Sequence, residues 1–136
     1  RRSPGYARFG YGGDYNPQGW SADILAEDIE LMHEAGVTIV TLGVFAWCLE
    51  EPREGRYDFA FLDENIARLH EAGIAVDLAT PTAAPPAWFW QAHPEARVVD
   101  REGRTLGTAS RGIGCPSSGA YRAASRGIAR ALSAPL

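Results

Sequence analysis

Four carboxylates, Asp14, Glu50, Glu51 and Asp77, fall where loops or strand ends are expected. Held in pairs, such groups supply the acid and the nucleophile of glycoside hydrolysis, and retention needs the two carboxyls roughly 5–5.5 Å apart. Spacing along the chain alone does not decide whether any two of the four reach that distance. Each also has a structural use, in an ion pair or a loop hydrogen bond. Asp77 alternates with Val76 and Leu78, which points it into a barrel interior with a base for a partner. Trp47, Trp88 and Trp90 lie near the same ends, with Tyr15 and Phe45 close by. They can stack on the apolar face of a sugar or pack loops onto the scaffold. Arg111 sits in a stretch that also holds Gly107, Gly112 and Gly114; its fixed fork of donors suits hydroxyl groups or a loop-bracing ion pair.

Other reactive side chains carry weaker signals. His33 and His70 stand near the ends of predicted helices, where a charged imidazole favours the helix dipole. His93 precedes Pro94 in a Trp-rich loop, and no HExxH spacing occurs. Cys115 is one thiol, whereas a structural zinc takes four ligands. Ser117 and Ser118 lack the GxSxG context of a nucleophile and read as helix caps.

The elements that must position these groups repeat. Leu25, Ile29 and Met32 form an i, i+4, i+7 stripe on a helix predicted from about Ala22 to Ala35, after Ser21 as N-cap. Gly36 closes it, and Val37 to Phe45 reads as a parallel strand buried on both faces. Leu62, Ile66 and Leu69 repeat the stripe 37 residues later, on a helix from about Ala60 to Ala72 with Asp58 as cap. Gly73 and a strand from Ile74 to Ala79 follow. An earlier short strand is predicted over Arg8 to Tyr11, broken by glycines, with a loop from Asp14 to Pro17. After the third strand come a proline-rich loop, a helical turn from Ala87 to Gln91, and a small hairpin joining 97–99 to 104–106. A last helix, capped by Ser117 or Ser118, reaches about Leu132 with Tyr121, Ile128 and Leu132 inward.

Helix-then-strand units of this length fit an α/β fold, the N-terminal portion of a (β/α)8 barrel with about three βα units. No GxGxxG follows the first strand, which argues against a dinucleotide fold. With 136 residues the chain reads as a single incomplete domain over 1–136, its sheet edges an aggregation hazard. A net charge of −4 excludes nucleic acid or an anionic membrane as the main partner. Two cysteines make no disulfide framework, so a reducing, cytoplasmic location is expected. The start, Arg1-Arg2-Ser3-Pro4-Gly5, has no apolar stretch behind it and lacks a Met, which reads as a fragment without a secretory signal.

Seven stretches together resemble the start of glycoside hydrolase family 42 β-galactosidases. They are YGGDYNPQGW (11–20), TLGVFAW (41–47), EPREGRYDF (51–59), DLATPT (77–82), PPAW (85–88), GRTLG (103–107) and CPSS (115–118). The resemblance runs from about Phe9 to Leu132. It implies a (β/α)8 barrel that hydrolyses terminal β-galactosides with retention, through two glutamates ending strands four and seven. Both would lie beyond Leu136, so no catalytic residue is expected in this chain, and the chain alone is expected to be inactive. By motif position Arg111 matches a substrate-binding arginine, and Cys115 the first of four zinc-binding cysteines found in some members. Zinc, if present, would be structural, and the parent is expected to form homo-oligomers. The alternatives are another barrel glycosidase, on β-glucosides or arabinosides, and a non-catalytic remnant.

Overall fold

The computed structural model describes residues 9–107 and 112–134. Strand β1 (Asp14–Tyr15) leads to helix α1 (Ala22–Glu34), strand β2 (Ile39–Leu42) and a short helix α2 (Trp47–Glu50). Helix α3 (Ala60–Glu71), strand β3 (Ala75–Leu78) and helix α4 (Ala87–Ala92) follow. A 3-10 turn (Pro94–Ala96) and helix α5 (Gly119–Ser133) complete the order. The strands form one parallel sheet, β1-β2-β3, with Asp14 beside Thr41 and Thr41 beside Asp77.

The repeated sequence unit is a repeated structural unit. Each helix ends in the same pair of hydrogen bonds: Gly36 N–H to His33 and Val37 N–H to Met32, then Gly73 to His70 and Ile74 to Leu69. This is the Schellman closure, and it needs a left-handed residue. Gly36 (φ 74°) and Gly73 (φ 75°) supply it. The closures are linked, because the exposed His33 ring sets Nε2 2.7 Å from the Ala72 carbonyl. Nε2–H is therefore the donor, and His33 ties the end of α1 to that of α3.

Val40, Leu42, Leu62, Leu69 and Ile74 form the main core, with Ile29, Met32 and Ile66 packed on it. That places the helices on one face of the sheet. Alternate β2 residues, Ile39 and Thr41, stay partly open on the other, so β2 is buried on one face rather than the two that its apolar run suggested. The open face is the one that lines the interior when such a sheet closes into a barrel.

A second cluster centres on Phe89, whose ring lies 5.2–6.3 Å from those of Trp47, Trp88, Trp90, His93 and Tyr121. Tyr121 also donates its hydroxyl to the Thr82 carbonyl at 2.7 Å. The loop after β3 is thereby pinned to the start of α5. Ser118 caps α5, accepting from Tyr121 N–H, and the predicted hairpin exists as an antiparallel bridge, Val99 to Thr105.

The first strand differs from expectation. Pairing with β2 begins at Tyr11, whose carbonyl takes Thr38 N–H at 2.8 Å, and passes through Gly13 to Asp14–Tyr15. The glycines mark a close backbone approach instead of a break, since a Cβ on Gly12 would collide with the Ile39 carbonyl. Among the caps, Ser21 occupies the N-cap position of α1 without a side-chain bond. Asp58 accepts Ala60 N–H, one residue before the α3 cap at Phe59.

Candidate active-site rim

The groups singled out in the sequence separate into two sets. Asp14, Thr41 and Asp77 form one polar row across the open face, since registered residues of neighbouring strands share a face. Both carboxylates are exposed, and Thr41 Oγ1 donates to Asp77 Oδ2 at 3.3 Å. The expected pairing of Asp77 with a base is replaced by this hydroxyl. Two strand spacings put the Asp14 and Asp77 backbones roughly 10 Å apart, with Thr41 between them.

Glu50 and Glu51 lie behind the rim. Beyond Leu42 the chain turns at Gly43 into α2, and this single helical turn buries Trp47 and Glu50 together, three residues apart. Glu51 is saturated. It accepts the Trp47 indole N–H at 2.7 Å and Gly55 N–H at 2.8 Å, and its carbonyl takes the Trp88 indole N–H at 2.9 Å. Its role is to hold the loop. Glu50 has the opposite environment: it is 1% exposed, and among the described residues neither carboxyl oxygen has a hydrogen-bond partner. Burial lifts its pKa to about 7 by penalising the charged form. The sequence treated the adjacent glutamates alike. The one signal that separates them is helical spacing, since Glu50 falls three residues after the buried Trp47.

Of the three tryptophans singled out in the sequence, two are scaffold. Trp47 is fully buried and Trp90 is 8% exposed, so neither presents a face to a sugar. Trp88, half-buried and bonded to Glu51, is the one with a partly open ring. Tyr15 donates to Asp28 Oδ2 at 2.8 Å; burial first, then the bond and charge of Asp28, raise its pKa. This pair ties β1 to α1 and had no signature in the sequence.

Arg111 lies outside the described residues. Cys115 is half-buried, and its backbone N–H bonds the Ala96 carbonyl at 2.7 Å. Among the described residues no three His, Cys, Asp or Glu side chains converge to hold a metal, so they do not build a zinc site by themselves. Nor, among them, is any helix long and apolar enough to cross a membrane.

Comparison with known proteins gives one answer. The family 42 profile, described as Beta-galactosidase, matches residues 14–135. A β-galactosidase from Arthrobacter is 51% identical over 123 residues, covering 90% of this chain and 18% of that protein. BbgII from Bifidobacterium bifidum is 48% identical over 116 residues, 85% of this chain and 17% of its own length. The crystal structure of a β-galactosidase from Bacillus circulans superposes with a TM-score of 0.82 at 38% identity, covering 90% of this chain and 18% of that one. The chain thus spans under a fifth of the relatives it matches, and its three strands are the N-terminal portion of a (β/α)8 barrel. It belongs to glycoside hydrolase family 42, the β-galactosidases.

Proposed function

We propose that this chain forms the first wall of the active site of a retaining β-galactosidase acting on terminal, non-reducing β-D-galactosides. The observation that carries the reading is the family match over residues 14–135. The rim supports the division of labour. It offers an exposed polar row, Asp14–Thr41–Asp77, in a face that a closed barrel turns inward. Among the described residues the carboxylates at the strand ends are otherwise engaged: both oxygens of Glu51 accept hydrogen bonds, Glu50 is sealed in, and Asp14 and Asp77 stand two strand spacings apart. The acid/base and nucleophile are therefore supplied by glutamates outside this sequence, and the chain alone hydrolyses nothing. Arg111 contributes donors to the galactose hydroxyls, and Cys115 one thiolate to a structural zinc.

A chimera tests the reading. Residues 14–134 replace the matching segment of the Arthrobacter enzyme, and turnover of an aryl β-galactoside is measured together with bound zinc. Retained β-galactosidase activity is expected. A folded chimera that turns over a β-glucoside or arabinoside in preference to a galactoside would falsify the substrate assignment. Zinc content unchanged by Cys115→Ser would remove Cys115 from the metal site.

A further inference from the structure

Among the described residues Glu50, Glu51 and Asn65 are the buried polar side chains. Glu51 and Asn65 are hydrogen-bonded, and Glu50 is not. This chain builds the enclosure by itself. Gly43, at φ 92°, carries no side chain; a Cβ there would stand 3.2 Å from Glu50 Oε1, 3.5 Å from Leu62 and 3.7 Å from the Ala79 carbonyl oxygen. The carboxyl therefore lies where the ends of β2 and β3 meet α3. With Glu50 1% exposed, segments outside this sequence touch it only by displacing that wall.

What holds Glu50 in place is slight. Helix α2 is a single turn, too short to persist without packing. Its amide bonds run from Leu49 and Glu50 to the Ala46 carbonyl and from Glu51 to the Trp47 carbonyl. The same turn reaches the rim, because the Glu51 carbonyl takes the Trp88 indole N–H at 2.9 Å. The surrounding elements bring acids rather than bases: Glu51 on α2, Tyr57 and Asp58 in the loop to α3, Asp63 beside Leu62, and Asp77 on β3. Arg53 and Arg56 in that loop are exposed, and burial alone raises the Glu50 pKa.

We propose that Glu50 is a proton-operated latch on the rim: the neutral acid holds α2 closed, and loss of its proton releases α2 together with Glu51 and Trp88. A carboxylate sealed without donors is costly, and lifting out one helical turn is the least disruptive way to bring it to water. That movement breaks the three amide bonds of α2 and leaves the core of Val40, Leu42, Leu69 and Ile74 intact. Units held by so few bonds open separately from the rest of a fold. The sign follows from linkage. The released carboxyl titrates at its ordinary 4.5 and the enclosed one at about 7, so opening sheds a proton between those values. The opening equilibrium therefore rises about tenfold per pH unit across that window, roughly 300-fold in all, and levels off above it. The inference is independent of the galactoside assignment.

Amide hydrogen exchange of the 136-residue chain across that pH window, without urea and with low urea, tests it. After correction for the pH dependence of free-amide exchange, protection of the Leu49, Glu50 and Glu51 amides should fall with rising pH by up to roughly 300-fold. Their exchange should be indifferent to low urea, because a local opening exposes little surface, whereas amides of α3 respond to it. In Glu50→Gln the fall with pH should vanish. Glu50→Leu, also without a proton to lose, gives the same control if the glutamine variant does not fold. If the chain alone protects no amides, the measurement is made on the Arthrobacter chimera. A protection that does not change with pH, a fall that persists in the Glu50 variants, or α2 amides that respond to urea as steeply as those of α3 would each overturn the proposal. The last result would show that the sheet and helices open together.

Discussion

A carboxyl whose two oxygens are buried without partners is stable only as the neutral acid, and Glu50 is such a group. Its folded pKa, about 7, lies above the ordinary 4.5, so the folded state holds its proton more tightly than the unfolded chain does. The stability that Glu50 contributes is therefore full below about pH 4.5 and is lost as pH rises from there through 7, by up to about 3 kcal/mol. Glu50→Gln removes the titration. Denaturation of the variant should give a curve that stays flat where the parent's falls, with the variant the more stable at pH 8; parallel curves would show that Glu50 ionises freely. Arg111 is the other residue with a distinct expectation. In the Arthrobacter chimera, Arg111→Ala should lower kcat/KM on an aryl β-galactoside by about 2–4 kcal/mol, as for a lost charged donor inside a site. An unchanged kcat/KM would leave it without a role in substrate binding. Neither adjacency nor charge distinguished Glu50 from Glu51 in the sequence. The difference arises from which side of one helical turn meets Gly43 and Leu62 and which meets Trp47, Gly55 and Trp88.

The helices α1 and α3 were legible because stripe, Schellman glycine and strand recur at one offset, and each signal agrees with the others. Helix α5 was legible through its serine cap, and Ser118→Ala should cost about 1 kcal/mol in thermal or chemical denaturation. A variant as stable as the parent would mean that the α5 terminus is held by Tyr121 packing alone. The register of β1 was not legible, because its pairing is made by backbone groups of Tyr11 and Gly13, which no side-chain pattern reports. Gly12 is the residue that permits that approach. Gly12→Ala pushes a methyl into the Ile39 carbonyl and should destabilise by about 1–3 kcal/mol, read as a lowered Tm. Of the two uses that the sequence left open for these tryptophans, packing is the one that Trp47 and Trp90 serve. Trp47 and Trp90 bury their rings against Phe89, and a cluster assembled from α2, α4 and α5 joins residues too distant in sequence to show a period.

At the largest scale, the described residues form a three-stranded parallel sheet covered by helices on one face and open on the other, with β1 and β3 at its edges. In a closed barrel that open face is interior and the ends of the strands carry the chemistry. The polar row Asp14–Thr41–Asp77 then lies on the interior side, while the carboxylate pair of a retaining enzyme acts as a unit that neither member replaces alone. The most direct measurement is the simplest. Residues Arg1 to Leu136 are purified, offered an aryl β-D-galactoside, and followed for release of the aryl group. No turnover above buffer is expected. Turnover that disappears on Asp14→Asn or Asp77→Asn would contradict the account and place the catalytic pair inside this chain.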